Sequence, residues 1–62
     1  MKTTLLLPML KKRFKRVFRG YELNEYAIQL GLRKEKRGVV ACYYWTNKNI
    51  NDLITLIDGK NN

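Results

Sequence analysis

The chain contains no histidine and a single cysteine, Cys42. One cysteine cannot form a disulfide within the chain, and the usual zinc sites need combinations of Cys and His ligands. An internal disulfide and a zinc site of the usual kind are therefore both excluded. The sequence also has no histidine base, no glycine-rich phosphate loop and no nucleophile beside an evident base. We therefore expect a protein without catalytic residues, a metal, a cofactor or a small-molecule substrate.

Long apolar runs are missing as well. The run near the start covers only residues 5–10 and is followed by Lys11 rather than by a small-residue cleavage site, which argues against a secretory signal. No stretch approaches the roughly 18 apolar residues of a membrane-spanning helix. From these features we expect a cytoplasmic protein.

The composition is nevertheless that of a folded domain, with 45% apolar residues and one Trp, four Tyr and two Phe. A chain of 62 residues buries only about 60% of the surface that its unfolded form exposes, so the core should be thin. We expect a single domain over residues 1–62, with residues 1–7 and 59–62 as candidate frayed ends. A homodimer would help to complete such a core.

Acids are scarce, and the positive charge is concentrated in one part of the chain. Residues 1–21 carry seven Lys and Arg and no acid, whereas residues 22–62 carry six bases and five acids. The formal net charge of +8 is therefore +7 on the first third and +1 on the rest. A cationic segment on an otherwise balanced chain indicates a partner of opposite sign.

The apolar residues of the basic segment recur at helical spacing. They are Leu7, Leu10, Phe14, Val17, Phe18 and Tyr21. Pro8 suits the first helical position and Gly20 the position after the end, which predicts a helix over residues 8–19. On that helix one face, away from the apolar stripe, would carry Lys12, Lys15, Arg16 and Arg19.

Two later segments have the character of strands. Residues 26–32 alternate large apolar with small or polar residues, and residues 39–45 are rich in β-branched and aromatic residues. Pairing Arg33 with Gly38 puts the large apolar residues of both segments on one face, which predicts an antiparallel hairpin in that register. A final helix should follow, capped by Asn49 or Asn51. Its apolar stripe is Ile50, Leu53, Ile54, Leu56 and Ile57.

These elements predict a small α+β domain in the order helix, strand, strand, helix, with two layers. The basic N-terminal helix and the C-terminal helix would cover one face of the antiparallel hairpin. Residues 27–32 also resemble the first helix and turn of a helix-turn-helix, since Ala27 precedes Gly31 by four positions. That pattern then needs an apolar residue where this chain has Arg37 and Gly38. In element order alone, a hairpin followed by a helix resembles the DNA-binding domains of phage integrases and double-stranded-RNA-binding folds.

The charge pattern predicts a non-catalytic nucleic-acid-binding accessory or regulatory protein. Its candidate phosphate-contacting residues are Lys11, Lys12, Arg13, Lys15, Arg16 and Arg19 on the predicted helix, and Arg33, Lys34, Lys36 and Arg37 at the predicted hairpin tip. On the opposite face of the hairpin, Tyr44 is a candidate for base stacking or for a subunit contact.

Three alternatives stay open. The basic face can be a solvated surface that only keeps a small protein in solution. It can dock on an acidic protein surface, as an inhibitor or adaptor of a phage or mobile element would, an origin that the Asn-, Lys- and Ile-rich C-terminal third suits. It can also lie on an anionic membrane, with an inserted face made of Leu5, Leu6, Leu7, Leu10, Phe14 and Phe18.

Overall fold

The computed structural model describes the backbone of residues 1–61 and the side chains of residues 1–59. Its elements in chain order are α1 (Thr3–Phe14), α2 (Gly20–Gln29), β1 (Glu35–Lys36), β2 (Ala41–Cys42) and α3 (Asn47–Asn61). The strands β1 and β2 are antiparallel. The predicted α+β class and the helix, strand, strand, helix order are confirmed, with α2 as a further helix after α1. Of the candidate frayed end 59–62, residues 59–61 belong to α3 and residue 62 lies outside the described residues.

Helix α1 is displaced toward the N-terminus from its predicted position. It begins at Thr3 rather than at residue 8, so residues 3–7, expected to fray, belong to it, and Pro8 lies inside the helix. It ends at Phe14 because Lys15 adopts a left-handed conformation, with φ 57° and ψ 35°. The N–H of Lys15 closes the helix on the carbonyl oxygen of Lys11 at 2.8 Å. The predicted helix over residues 8–19 is therefore wrong at both ends.

The segment that we predicted as the first strand is largely helical. Helix α2 buries Leu23, Tyr26 and Ala27, which lie on one helical face at spacings of three and one. The alternating pattern was misleading because Ile28, counted as an inward-facing strand residue, is 65% exposed on the outer side of α2. Residues 26–32 therefore do not form the predicted strand.

The end of α2 matches one half of the helix-turn-helix resemblance. Gly31 has φ 79°, a conformation that glycine adopts without steric cost, and the N–H of Leu32 bonds to the carbonyl oxygen of Ala27 at 2.9 Å. The chain then continues into β1 and β2, so a hairpin stands where a helix-turn-helix would have its second helix.

The hairpin is short and differs in register from the prediction. Glu35 pairs with Cys42 and Lys36 with Ala41, so the pairing of Arg33 with Gly38 is wrong. Four residues, 37–40, connect the strands. The strand residues are exposed or half-buried, because most of the large apolar residues expected to pair across the hairpin lie outside the two strands.

The core is assembled from all three helices, from the connector between α1 and α2 and from the segment that follows β2. Its buried apolar residues are Leu6, Leu10, Phe18, Leu23, Tyr26, Ala27, Tyr43, Trp45, Leu53 and Ile57. The stripe predicted for the final helix is confirmed, since Leu53 and Ile57 are buried and its other three members are half-buried.

Helix α3 begins at Asn47, two residues before the earlier of the predicted caps. The hydroxyl oxygen of Thr46 accepts a hydrogen bond from the N–H of Asn49 at 3.1 Å. In return, Oδ1 of Asn49 accepts one from the N–H of Thr46 at 3.2 Å. This reciprocal arrangement is a capping box in which Thr46 is the cap and Asn49 is its partner.

The start of α1 is tied to the segment before α3 by a set of contacts that we call the N-terminal clamp, formed by residues 1–3 with Tyr44 and Trp45. Met1 and Trp45 exchange two main-chain hydrogen bonds, of 2.9 and 2.7 Å. Lys2 lies opposite Tyr44 in an antiparallel bridge. Inside the core, the indole N–H of Trp45 donates to Oγ1 of Thr3 at 3.0 Å. The clamp thus joins the start of α1 to the segment between β2 and α3.

Replacement of Thr3 by valine tests the clamp. Valine keeps the shape of threonine but leaves the buried indole N–H of Trp45 without its acceptor, which should lower the free energy of unfolding by about 1–3 kcal/mol. The matched control is Thr4→Val, at the next and exposed position of α1, which should change stability by less than about 0.5 kcal/mol. Urea denaturation measures both, and equal effects of the two substitutions would contradict this role of Thr3.

Candidate nucleic-acid interface

Four of the predicted phosphate-contacting residues gather at the C-terminal end of α1. Lys11, Lys12 and Arg13 occupy its last turn, Lys15 follows directly, and all four are exposed. We call them the helix-end cluster. The end of a helix carries about half of a negative elementary charge, which stabilises cations there. That partial charge offsets only a small fraction of four positive charges, so the cluster stays strongly cationic.

Arg16 and Arg19 do not share a helix face with this cluster, because α1 stops at Phe14 and the chain turns at Lys15. The guanidinium of Arg16 donates to Oε2 of Glu22 at 3.1 Å and lies 3.8 Å from the centroid of the Phe18 ring. Arg19 flanks the start of α2. The predicted single face of Lys12, Lys15, Arg16 and Arg19 is therefore wrong.

Glu22 connects these two arginines to α2. Its Oε1 accepts a hydrogen bond from the main-chain N–H of Arg19 at 3.0 Å, while Oε2 binds Arg16. The hydrogen bond from Arg19 and the contact with Arg16 both favour the ionised carboxylate, so the pKa of Glu22 is lowered from 4.5. Glu22 thereby holds the connector between α1 and α2 and neutralises one cation of the basic segment.

The second basic cluster surrounds β1 and is exposed. It consists of Arg33, Lys34, Lys36 and Arg37, and we call it the hairpin cluster. We predicted that these residues form the tip of the hairpin. In the structure the tip is the loop 37–40, and the four residues precede or begin it. Arg37 pairs with Glu35 at 2.7 Å, and its guanidinium carbon lies 4.0 Å from the centroid of the Tyr44 ring. Its charge is thus partly compensated.

Tyr44, the candidate for stacking or for a subunit contact, is half-buried and already carries one planar partner, the guanidinium of Arg37. Interaction with the Cys42 side chain, followed by desolvation, raises the pKa of Tyr44 above 10.0. The hydroxyl therefore stays protonated at neutral pH. Base stacking on Tyr44 would have to use the ring face that Arg37 leaves open.

Two shallow grooves border one side of α1, and the residues that line them show where the two basic clusters lie along this helix. A groove of about 390 Å³ is lined by Lys2, Thr3, Thr4, Cys42, Tyr44 and the loop residues 37–40. A second, of about 440 Å³, is lined by Thr4, Leu7, Pro8, Lys11, Val17 and Phe18. Because both include Thr4, they border the same side of the helix. The seven steps from Thr4 to Lys11 rise by about 10 Å, so Arg37 of the hairpin cluster lies beside the N-terminal end of α1 and the helix-end cluster at its C-terminal end.

Sequence reasoning missed an exposed apolar pair in this region. Val39 was assigned to the core face of the hairpin, yet it is 91% exposed, and its neighbour Val40 is 73% exposed. Both lie in the loop between the strands. The signal that could have located them is Gly38, which ends a polar run and marks the turn immediately before them.

The face expected to insert into a membrane is mostly unavailable. Leu6, Leu10 and Phe18 are buried in the core, and Leu7 and Phe14 pack against it, which leaves only Leu5 exposed. Within residues 1–61, none of the helices is both long and apolar enough to cross a bilayer.

Comparison of the chain with protein-family models, with curated proteins and with solved structures finds no match.

Replacement of Glu22 by glutamine tests its role at the connector. Because the pKa of Glu22 is lowered in the fold, its contribution to stability is present above pH 4.5 and disappears as the pH falls through the lowered value. Glu22→Gln should lower the free energy of unfolding by about 1 kcal/mol at pH 7. The difference from the unmodified protein should shrink toward pH 3. Glu25→Gln, exposed on the same helix, is the control, and a pH-independent difference at Glu22 would refute this role.

Proposed function

We propose that this chain is a small, basic, non-catalytic accessory or regulatory protein that binds nucleic acid, with the helix-end and hairpin clusters as its phosphate contacts. One observation carries the proposal. Within the described side chains, seven exposed cations of the two clusters have no carboxylate at salt-bridge distance. They are Lys11, Lys12, Arg13, Lys15, Arg33, Lys34 and Lys36. Uncompensated cations at this density repel one another, and a polyanion relieves that repulsion.

The arrangement suits a duplex better than a point anion. Thr4, which shares a groove with Arg37 of the hairpin cluster, and Lys11 of the helix-end cluster are about 10 Å apart along the axis of α1. The major groove of B-form DNA is about 12 Å wide, so a contact at each end can reach the phosphates on either side of one groove. Such contacts fix the position of the protein without reading bases, which agrees with lysine as the commonest residue of the two clusters.

An acidic protein surface is the second candidate partner, and exposed apolar side chains next to the helix-end cluster favour it. Val17 is 56% exposed and Met9 37% exposed. Phosphate contacts make no use of such side chains, whereas the centre of a protein interface is enriched in apolar residues.

A matched pair of arginines tests the nucleic-acid proposal. Arg13 is exposed without an acidic partner in the described structure, whereas Arg16 is held by Glu22. Anisotropy titrations of a labelled duplex over a range of salt concentrations give the slope of log affinity against log salt. Arg13→Gln should reduce the magnitude of this slope by about 0.9, the contribution of one phosphate contact. Arg16→Gln should leave the slope unchanged and lower the stability of the fold instead.

A variant with glutamine at all four helix-end positions extends the same test. The slope should become shallower by between about 3 and 4, with the far-ultraviolet circular dichroism unchanged. Absence of binding at about 50 mM salt would refute the proposal. Binding to poly-glutamate but to neither duplex nor single-stranded oligonucleotides would favour the acidic-protein partner.

A further inference from the structure

The two valines at the hairpin tip are the least expected surface residues of the molecule. Val39 and Val40 are adjacent, β-branched and 91% and 73% exposed. Burial of a valine side chain contributes about 1.5–3 kcal/mol to stability, and neither residue makes that contribution in the isolated fold. A single exposed valine needs no explanation, but two adjacent exposed valines in one loop form a small apolar patch.

The base of this loop is held firmly. The β1 and β2 pairing closes it, and Arg37, its first residue, is fixed between the carboxylate of Glu35 and the ring of Tyr44. The Nε–H of Arg37 adds a second bond to Glu35, at 2.9 Å. The two exposed valines therefore lie in a loop whose two ends are joined by strand pairing and by the contacts of Arg37.

The charge around the loop determines which kind of partner can bind there. Arg33, Lys34 and Lys36 lead into it, and Lys2 lines the groove beside it. The nearest acid in the sequence, Glu35, is already paired with Arg37. A second copy of this chain, with its own net charge of +8, would be repelled from such a surface. A polyanion is the occupant whose charge complements it.

The aliphatic character of the two valines favours duplex over single-stranded nucleic acid as the polyanion. Single strands are held by aromatic side chains on which bases stack, and residues 37–40 contain none. Tyr44 lines the same groove, but one face of its ring is already covered by Arg37. An aliphatic side chain flanked by cations instead suits the wedges that enter the minor groove of duplex DNA and open a base step. Pyrimidine–purine steps such as TA open most easily.

We propose that Val39 and Val40 form a wedge that enters the minor groove of duplex DNA and partly unstacks a flexible base step, while the hairpin cluster holds the adjacent phosphates. This inference rests on the proposed function and names its substrate: a duplex that contains a deformable step. The wedge adds a preference among sequences that phosphate contacts alone do not supply.

The test uses the full chain and two duplexes that carry the fluorescent base 2-aminopurine, one within a TA step and one within a stiff A-tract. The protein should raise the fluorescence of the TA duplex, because an unstacked 2-aminopurine is no longer quenched, and should raise that of the A-tract much less. The double variant V39T/V40T keeps the side-chain shape but not the apolar character. It should lose most of the rise and bind the TA duplex about tenfold more weakly or worse, with an unchanged salt slope.

Val17→Thr is the matched control, since Val17 is also exposed and lies within the basic segment but outside the loop. It should retain the full fluorescence rise. Binding of the unmodified protein without any rise, or an undiminished rise with V39T/V40T, would overturn the wedge and leave the phosphate contacts standing. Failure to bind either duplex would overturn both proposals. Loss of binding to phosphatidylserine vesicles, but not to DNA, in V39T/V40T would assign the valines to a membrane and overturn the wedge.

Discussion

Trp45 is the residue on which the rest of the structure depends. It is 2% exposed, exchanges two main-chain hydrogen bonds with Met1 and donates its indole N–H to Thr3. A buried indole without an acceptor would be costly, so the first turn of α1 and the segment before α3 must form together. This closure fixes the start of α1 against the segment that precedes α3. It brings the hairpin to the start of the helix and leaves the other end of the helix free to carry Lys11, Lys12, Arg13 and Lys15.

Three of the five acids of the chain form ion pairs within the described side chains, and these pairs decide which cations are neutralised. Glu22 fastens the connector between α1 and α2 through Arg16, Glu35 fastens the base of the loop through Arg37, and Asp52 pairs with Lys48 in the first turns of α3. Glu22 and Glu35 thus neutralise Arg16 and Arg37. Within the described side chains, the helix-end cluster and Arg33, Lys34 and Lys36 have no carboxylate at salt-bridge distance, so both clusters stay positively charged.

Local signals in the sequence were sufficient for some of these features and misleading for others. The stripe from Ile50 to Ile57 predicted α3 because helical periodicity is a local property. The start of α1 was missed because Thr3 and Trp45 are 42 residues apart, and no short pattern records that contact. Residues 26–32 alternate well enough for a strand, and only the burial of Leu23 with Tyr26 and Ala27 identifies the helix. The excess of cations was visible from composition, but the neutralisation of Arg16 depends on the turn at Lys15.

We propose that the clamp turns two separate basic clusters into one surface for duplex nucleic acid. An amide chemical-shift titration of the isotopically labelled protein with a short duplex at low salt distinguishes one surface from two. With one surface, the amides of Lys12, Lys15, Lys34 and Lys36 should shift together along one binding curve, with those of Val39 and Val40, while the amides of Leu53 and Ile57 in the core of α3 stay in place. Shifts confined to one cluster, or two clusters that titrate along separate curves, would contradict it.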